Sequence, residues 1–318
     1  MLSIIIIARN TAELLIGLLA SIQQDASLQP LLSEVIVVDN ASTDETSERV
    51  SSGFPEVRLL RNNQNRGFAA AANQGATKAT GDFLLFLNSD ARLLAGEVEK
   101  VLSLLKEQET IGIAGPQLVF EDMRLQRSYA DAPSLLLEVV PFFMLKILSP
   151  TRYGKLPGDS SGPAEVESVI GAAMFVRADA MRAIGGFDER FFFFLEETDL
   201  CVRIKRSGYK VFFLPSARVV HLQGKTVRQS WVKGRIEYAI SLYKFIEKHH
   251  SAGYFRMFIF IRLMKALLFM LVTTLLPFLL LSKSIRRKYE YYGRLIIWHA
   301  KGRPDDAGLR SIVKPQTR

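Results

Sequence analysis

The sequence contains almost no cysteine, and its acidic residues are unevenly distributed. Cys201 is the single cysteine among 318 residues, so no disulfide can form within the chain, which suits a reducing compartment. Residues 201–318 carry 24 Lys/Arg against 5 Asp/Glu, a net charge of +19, whereas residues 1–200 carry 17 against 27, a net charge of −10. The C-terminal part is therefore expected to meet an anionic partner, either a membrane surface or nucleic acid.

Three familiar N-terminal signatures are also missing. The stretch MLSIIIIARN lacks the basic region and the cleavage site of a signal peptide, so we expect a cytoplasmic active site. The first predicted strand is followed by ARNTAE, which is neither the glycine-rich turn of dinucleotide-binding folds nor a P-loop. These absences argue against a dehydrogenase or a kinase. The phosphates of a nucleotide would have to be held in another way, which favours a divalent cation.

Apolar residues make up 48% of the chain and are concentrated near its end. Ala266–Leu281 has sixteen residues without a charge, roughly 24 Å as a helix against a hydrocarbon core of about 30 Å. Basic and tyrosine residues flank it, as at a membrane interface. Membrane association therefore explains the tail better than nucleic acid does, and a buried helical hairpin at a dimer interface is the alternative. We predict one domain over 1–235 and a helical, membrane-associated extension over 236–318.

Short apolar runs alternate with helical patterns in the first third of the chain. This alternation predicts an α/β fold with a mostly parallel sheet covered by helices on both faces. The predicted strands are Ser3–Ala8, Glu34–Val38, Val57–Arg61, Phe83–Leu87 and Ile111–Ala114. The predicted helices include Phe68–Thr80, ended by Gly81, and one near Glu97–Glu109, while Asn10–Glu13 and Ser42–Glu45 resemble capping boxes.

Polar side chains follow two of these strands where each strand ends. Asp39 comes at the end of the second strand, and Asn88 and Asp90 follow the fourth. Ligands of open parallel sheets bind beyond the carboxyl ends of the strands, so these residues are candidates for a ligand site. Each could instead form a simple turn.

The segment RFFFFLEETDL, residues 190–200, sets four phenylalanines beside three carboxylates. One explanation is a plain core strand. The other is a pocket wall with alternate rings facing core and pocket, where lost hydration would raise the pKa of a carboxylate and make it a better base near neutral pH. Asp199 and Leu200 are expected to begin the following helix, whose dipole favours an acidic first turn.

Six motifs occur in a fixed order over about residues 1–230: SIIIIARN, VVDNASTD, NRGFAAAANQG, LLFLNSDA, GGFDERFFFFLEETDLCVRIKRSGY and VVHLQG. With these motifs the chain resembles family 2 glycosyltransferases of the GT-A fold, most closely the bacterial rhamnosyltransferase-like branch. The resemblance implies a Rossmann-like GT-A domain. The last eighty or so residues lie outside it.

The resemblance also implies roles for residues at matching positions. Asp90 and His221 would bind a metal that bridges the donor diphosphate, although a lone histidine can also be structural. Glu197 would be the catalytic base and Glu196 would orient the acceptor. The implied donor-binding residues are Arg9, Asn10, Asp39, Asn65, Gly67, Asn73 and Asn88.

Two departures from the family pattern concern these acidic residues. The metal motif is often Asp-x-Asp, but here it is Asn88-Ser89-Asp90, so one carboxylate is missing. The catalytic segment commonly has Glu-Asp-x-Asp-Leu, but here Glu197 replaces the base aspartate and is one methylene longer. Either carboxylate can serve as a base within hydrogen-bond reach.

The implied function is an inverting glycosyltransferase that needs Mg²⁺ or Mn²⁺ and uses a nucleoside-diphosphate sugar. The best donor is dTDP-L-rhamnose, and the acceptor is a lipid-linked saccharide of the cell envelope, on the cytoplasmic face of a bacterial plasma membrane. An anionic membrane surface and a homodimer are further expected partners, and nucleic acid is not. The alternatives are a polyprenyl-phosphate glycosyl synthase, whose acceptor needs no base, and a non-catalytic membrane scaffold. FDERFFFFLEETDL argues against the first, and the acidic and histidine positions argue against the second.

Overall fold

A computed structural model describes residues 1–149, 162–222 and 231–312. The strands are β1 (Leu2–Ala8), β2 (Leu32–Asp39), β3 (Arg58–Arg61), β4 (Phe83–Asn88), β5 (Ala91–Leu93), β6 (Ile111–Val119), β7 (Tyr129–Ala130), β8 (Ala164–Glu165), β9 (Ser168–Val169), β10 (Ala173–Arg177) and β11 (Lys210–His221). The helices are α1 (Ala12–Gln24), α2 (Thr46–Gly53), α3 (Phe68–Lys78), α4 (Glu97–Glu107), α5 (Leu135–Val139), α6 (Phe142–Leu148), α7 (Ala178–Ala183), α8 (Glu196–Arg206), α9 (Trp231–His249), α10 (Ala252–Leu275) and α11 (Lys283–Ala300).

The described residues form two units. The first holds residues 1–132, 162–191 and 196–222, and the second holds 133–149, 192–195 and 231–312. Helix α9 begins at Trp231, shortly before the predicted boundary at 235/236. The division into a transferase domain and a membrane extension stays a proposal.

The first unit is built on a nine-stranded sheet in the order β3-β2-β1-β4-β10-β6-β11-β5, with β8 added beside β11. Strands β1 to β4 pair in parallel, as do β6 and β11, whereas β10 runs antiparallel between β4 and β6. Strand β1 is the isoleucine run SIIIIA, and Ile4, Ile5 and Ile6 are fully buried because helices cover both sheet faces. The predicted α/β fold with a mostly parallel sheet is confirmed.

Small residues allow helix α3 to lie close to the sheet. Four of its five alanines are buried, and a Cβ added at Gly75 would lie 2.5 Å from Cγ2 of Ile5. The helix ends at Lys78, and Gly81 does not cap it as predicted. Gly81 instead passes close to β1, where a Cβ would meet the backbone N of Ser3 at 2.6 Å. Close approach to β1, not a helix end, therefore requires this glycine.

Both predicted capping boxes are wrong. Thr11 occupies the N-cap of α1 without a side-chain cap, and Asn10 bonds to another loop instead. Helix α2 begins at Thr46, and Asp44 accepts hydrogen bonds from the N–H and hydroxyl of that residue. Asn10 thus bonds to the loop after β2 and Asp44 bonds two residues along the chain, so neither box forms the predicted cap hydrogen bonds.

The second unit consists of α5, α6 and the three C-terminal helices. The predicted apolar run 266–281 is not one helix, because α10 ends at Leu275 and Pro277 begins a short 3-10 turn, Pro277–Leu281. By length and composition, α10 is the one helix of the described residues that could cross a membrane. The apolar residues between 135 and 148 form α5 and α6.

Candidate active site

The loops after β1 and β2 are tied together by side-chain hydrogen bonds. Asn10 has a left-handed φ of 54°, and its Oδ1 accepts from the backbone N–H of Thr43 at 2.7 Å. The N–H of Asn10 donates to Ser42 Oγ at 3.0 Å. Asp39 accepts from the N–H of Ser42 at 2.9 Å and from the hydroxyl of Ser47. The two loops form one pre-organised rim at the carboxyl edge of the sheet. Asp39 forms the hydrogen bonds of a turn at the end of β2, which was the alternative to a ligand site.

Arg9 lies at the same edge, directly after β1. Its Nε is buried without a hydrogen-bond partner among the described residues, and so is the hydroxyl of Thr11. A buried polar group without a partner costs about 1–3 kcal/mol. A ligand that supplied partners to these atoms would remove that cost. Nucleotide binding by Arg9 and Asn10 remains a prediction.

Asn40 holds the loop before α3 and was not among the predicted site residues. Its Oδ1 accepts from Nδ2 of Asn62 at 3.2 Å and from the N–H of Arg66 at 3.0 Å. Its Nδ2 donates to Oδ1 of Asn65 at 2.8 Å and to the carbonyl of Gly67 at 3.0 Å. These partners lie 22 to 27 residues further along the chain, so no local pattern could have identified the contact.

Asn65 and Gly67 shape the start of α3. Gly67 is the N-cap with a φ of 81°, a value that favours glycine, and its N–H donates to Asn65 Oδ1 at 2.9 Å. These contacts place both residues beside the rim formed by the β2 loop. Their contact with a donor remains a prediction.

Asn73 fixes a distant loop instead of pointing to an open site. Its Oδ1 accepts from the N–H of Phe187 at 2.8 Å, and its Nδ2 donates to the carbonyl of Phe187 at 2.9 Å. Gly186, with a φ of 75°, has no room for a Cβ, which would lie 2.5 Å from Asn73 Oδ1. Asn73 thus anchors the GGFDERF segment, and its predicted role in donor binding is not tested.

Asp90 and His221 are brought together at the end of β4, as predicted. Oδ1 of Asp90 lies 3.4 Å from Nε2 of His221, because β5 and the end of β11 pair antiparallel and set His221 opposite Ala91. The N–H of Leu222 also donates to the carbonyl of Asp90 at 3.0 Å. Both side chains are largely buried. A carboxylate and an imidazole at this distance are suited to sharing a divalent cation.

Gln126 determines which nitrogen of His221 carries the proton. Nε2 of Gln126 donates to the carbonyls of His221 at 2.5 Å and Val119 at 3.1 Å, so Oε1 faces Nδ1 of the imidazole at 3.2 Å. Nδ1 must then donate, and in the neutral imidazole this leaves the lone pair on Nε2, the nitrogen beside Asp90. In that tautomer two acceptors lie 3.4 Å apart, and either a divalent cation or a second proton on the imidazole would satisfy both.

The donor set around this pair is small. Among residues 1–149, 162–222 and 231–312, no group of three or more His, Cys, Asp or Glu could hold a metal ion. The side chain of Asn88 is half-buried at the end of β4, and its N–H donates to the carbonyl of Ala172 at 3.0 Å. Asn88 therefore connects the β4 end to the segment that precedes β10.

Glu197 lies against that same segment. The N–H of Gly171 bonds to its carboxylate, and a Cβ at Gly171 would lie 3.4 Å from Cβ of Glu197. Burial raises the pKa of Glu197, although bonds from its own N–H and those of Thr198 and Gly171 oppose the rise. Its Oε2 is buried without a hydrogen-bond partner among the described residues. The raised pKa suits a general base, because proton transfer is most efficient near the operating pH.

Glu196 and Asp199 occupy different surroundings. Helix α8 begins at Glu196, three residues earlier than the predicted start, and Glu196 is buried. Asp199 is fully buried and its Oδ2 lies 2.7 Å from Nε of Arg203. Arg203 also donates to the carbonyl of Ile184 at 3.1 Å. Asp199 is therefore a structural ion-pair partner within the first turn of α8.

The four phenylalanines do not form a strand with alternating rings. Phe191 and Phe192 are buried, Phe193 and Phe194 are partly buried, and no strand is present. Phe194 and Leu195 have left-handed φ values of 73° and 65°, which are rare for such side chains. The expectation of alternate rings is wrong because the chain turns sharply here before α8.

Comparison with known proteins identifies the family. Residues 3–180 match the model of glycosyl transferase family 2, and residues 159–225 match that of the N-terminal domain of galactosyltransferase. The chain belongs to glycosyl transferase family 2, as the resemblance predicted. An N-acetylglucosaminyl-diphospho-decaprenol L-rhamnosyltransferase of Mycobacterium tuberculosis is 27% identical over 243 residues, 70% of this chain and 76% of that protein. A pre-mycofactocin glycosyltransferase of the same organism is 26% identical over 248 residues, 78% of this chain and 48% of that protein.

Solved structures share the fold. A mannosyltransferase from Pyrobaculum calidifontis in complex with GDP-Man and Mn²⁺ superposes with a TM-score of 0.59 at 19% identity, covering 94% of this chain and 86% of that one. GalNAc-T7 with UDP, GalNAc and Mn²⁺ gives a TM-score of 0.53 at 18% identity over 69% of this chain and 42% of that one. The GT-A fold expected for the first unit is thereby confirmed.

Proposed function

We propose that the protein is a metal-dependent, inverting glycosyltransferase that transfers a sugar from a nucleoside diphosphate to a hydroxyl of a lipid-linked saccharide. The observation that carries this proposal is the pair of Asp90 and His221, 3.4 Å apart at the end of β4 in a family 2 glycosyltransferase. Asn88 joins this end to Ala172, and Gly171 touches Glu197, so the predicted metal ligands and the predicted base belong to one continuous part of the fold.

The divalent cation fits the donor set of this pair. Asp90 and the Nε2 of His221 would hold Mg²⁺ or Mn²⁺, and the donor diphosphate would complete the coordination. The bound cation neutralises the charge that develops on the leaving diphosphate. The missing carboxylate at Asn88 makes metal affinity depend more on the donor. The two similar structures that contain Mn²⁺ support this assignment.

Glu197 acts as the general base. Its carboxylate takes the proton of the acceptor hydroxyl, whose oxygen forms a bond to the anomeric carbon of the donor. The bond from that carbon to the diphosphate breaks in the same step, and the sugar inverts its configuration. Glu196 orients the acceptor. A polyprenyl-phosphate acceptor would already be ionised and would leave the raised pKa of Glu197 without a use.

The donor proposed is dTDP-L-rhamnose, and the acceptor is a lipid-linked saccharide of the bacterial cell envelope. The relative named as an N-acetylglucosaminyl-diphospho-decaprenol L-rhamnosyltransferase supports rhamnose as the sugar and a lipid-linked saccharide as the acceptor. An acceptor on a lipid also requires access to a membrane, and α10 together with the basic C-terminal part supports membrane association at the cytoplasmic face.

The test is transfer by the purified full-length protein from a panel of nucleotide sugars to a lipid-linked saccharide, read by mass spectrometry. We expect product with dTDP-L-rhamnose, none with excess EDTA, and recovery when Mn²⁺ is returned. Asp90→Ala should lose transfer and weaken donor binding. Glu99→Ala, an exposed acid on α4, is the matched control and should retain both. Full activity in excess EDTA would refute the metal dependence. Transfer of a different sugar, and not of rhamnose, would refute dTDP-L-rhamnose as the donor.

A further inference from the structure

Helix α10 exposes a continuous apolar stripe. Phe260, Met264, Leu267, Leu268, Leu271 and Leu275 follow helical spacing, and each is between 48% and 69% exposed. In the turn that follows, Phe278 and Leu281 are 62% and 84% exposed. These eight side chains are here called the apolar face. A soluble protein rarely leaves so much contiguous apolar surface to water, so the face requires a partner.

Of the three charged residues of α10, Arg262 and Lys265 are paired within the second unit, and Arg256 is exposed one turn before Phe260. Arg262 is buried, with Nη1 2.8 Å from Oε2 of Glu138 and Nη2 2.9 Å from the hydroxyl of Tyr291. Lys265 also bonds to Glu138, at 3.0 Å through its carbonyl and 3.2 Å through its carboxylate. Helix α5 therefore lies along the first part of α10, and the hydroxyl of Tyr254 accepts from the N–H of Leu135 at 2.7 Å.

This arrangement limits how much of α10 could cross a bilayer. Tyr254, Arg262 and Lys265 contact α5, and the last two belong to the ion-paired cluster. Only ten residues of the helix remain after Lys265, about 15 Å against a hydrocarbon core of about 30 Å. The chain then turns at Pro277 and returns along α10, where the rings of Phe269 and Tyr292 lie 4.9 Å apart. Beyond its ion pairs, the hairpin of α10 and α11 is too short to span a bilayer.

Exposed cations immediately follow the apolar face. Lys283, Arg286, Arg287 and Lys288 occupy the first turns of α11 and are all exposed. Cations beside an apolar surface are typical of segments that lie in the interface of an anionic membrane, where phosphate head groups neutralise them. Carrying four such cations across the hydrocarbon would be strongly unfavourable.

We propose that the α10–α11 hairpin lies within one leaflet of an anionic membrane and does not cross it. The apolar face enters the acyl region, and the four cations bind lipid phosphates. This inference rests on the membrane association in the proposed function and specifies its mode. It predicts that the lipid-linked acceptor is reached laterally, from the leaflet in which the hairpin is embedded.

Binding is tested with the full-length protein and vesicles of phosphatidylglycerol or phosphatidylcholine, separated by flotation. We expect strong binding to phosphatidylglycerol alone, weakened by 0.5 M salt. Replacing Lys283, Arg286, Arg287 and Lys288 by Ser should reduce binding at least tenfold. Leu268→Glu should also reduce it. The matched controls should bind normally: Leu14→Glu on an exposed position of α1, and serine replacements of the exposed cations Lys78, Lys106, Arg182 and Lys210.

The position in the membrane is tested with a fluorescent label at Ser284→Cys, an exposed site beside the cations. Cys201 will not compete for label, because burial raises its pKa to about 12. An external reductant should bleach the label on intact vesicles. Protection until detergent is added would show that the hairpin crosses, which would overturn the one-leaflet inference and leave membrane association standing.

Two other outcomes separate this inference from the rest of the proposed function. No binding to anionic vesicles, with a dimer that Leu268→Glu dissociates, would assign the apolar face to a second copy of the chain. That result would overturn both the inference and the proposed membrane association. Transfer to a water-soluble acceptor analogue measures the glycosyltransferase activity without a membrane. Loss of that activity would therefore count against the proposed reaction and not against the mode of membrane binding.

Discussion

Oε1 of Gln126 lies 3.2 Å from Nδ1 of His221, while the other ring nitrogen of His221 faces Asp90 at 3.4 Å. Gln126→Met removes the acceptor but keeps the volume, so the imidazole loses its fixed tautomer. We expect the Mn²⁺ concentration for half-maximal activity to rise about 10- to 100-fold, with kcat less affected. Gln29→Met is the control, since it removes a side-chain amide that donates to the carbonyls of Ile22 and Gln23 instead. Equal metal dependence in both variants would contradict the role of Gln126.

Glu197→Gln tests the base. The amide keeps the shape of the side chain but cannot accept a proton, so turnover should fall by about two to four orders of magnitude while donor affinity changes little. Thermal stability should rise at neutral pH, because the variant removes a carboxylate whose ionised form is disfavoured by burial. Glu196→Gln should reduce turnover less. If Glu196→Gln were inactive and Glu197→Gln nearly normal, the base would be Glu196.

The pH dependence of kcat/KM follows from the same burial. A base works deprotonated, and the pKa of Glu197 is raised, so activity should be lost as pH falls at a value above 4.5, the ordinary pKa of glutamate. Gly171→Ala places a methyl group in ordinary contact with Glu197, excludes water and should move this limb to still higher pH. Gly17→Ala, where nothing lies within 4 Å of the added methyl group, should leave the limb unchanged. If the acidic limb of kcat/KM were unchanged in Gly171→Ala, Glu197 would not be the base that controls it.

Asp199→Asn should chiefly affect stability. The buried pair of Asp199 with Arg203 is broken, which leaves the guanidinium without its carboxylate and lowers the free energy of unfolding by about 3 kcal/mol. Urea unfolding monitored by circular dichroism measures this loss. The exposed pair of Arg294 and Glu290 provides the control, since Glu290→Gln should change stability by less than about 1 kcal/mol. Nearly unchanged stability of Asp199→Asn would be inconsistent with a structural ion pair.

Ser241 supports the segment that precedes the acidic pair. Its hydroxyl donates to the carbonyl of Phe193 at 2.8 Å, next to the left-handed residues Phe194 and Leu195. Ser241→Ala should loosen this segment and lower kcat by roughly ten- to a hundredfold, since small displacements of a catalytic group have large effects. Thr273→Ala removes another buried hydroxyl, which bonds only within α10, and should have little effect on kcat. The same kcat in both variants would show that Phe193 needs no such support.

The sequence was most informative where its patterns are local. The apolar runs predicted β1 to β4 and β6, although β2 and β6 extend further, because strands buried on both faces carry continuous apolar residues. The ordered motifs also placed Asp90 and His221 together, at residues 131 positions apart. Neither the antiparallel insertion of β10 nor the pairing of β5 with β11 follows from periodicity, because both depend on which distant strands meet.

The errors have a common physical cause. Asn10 and Ser42 in the predicted capping boxes and Gly81 at the predicted helix end were assigned by their neighbours in sequence, but each makes its contacts with a loop or strand far along the chain. The four phenylalanines were judged by residue type, which gives no information on φ at Phe194 and Leu195. Asn40 and Gln126 were missed for the same reason, because their hydrogen-bond partners are not local.

The segment 192–195 belongs to the second unit although first-unit residues flank it in sequence. Its supports are Ser241, the ring of Tyr238 against Phe194, and Arg310 over the ring of Phe192. The segment 192–195 therefore depends on residues of the C-terminal helices, which cannot be replaced by unrelated helices without losing these contacts. A chimera that combined the first unit with unrelated C-terminal helices would inherit Glu197 but lose the residues that support the chain just before it.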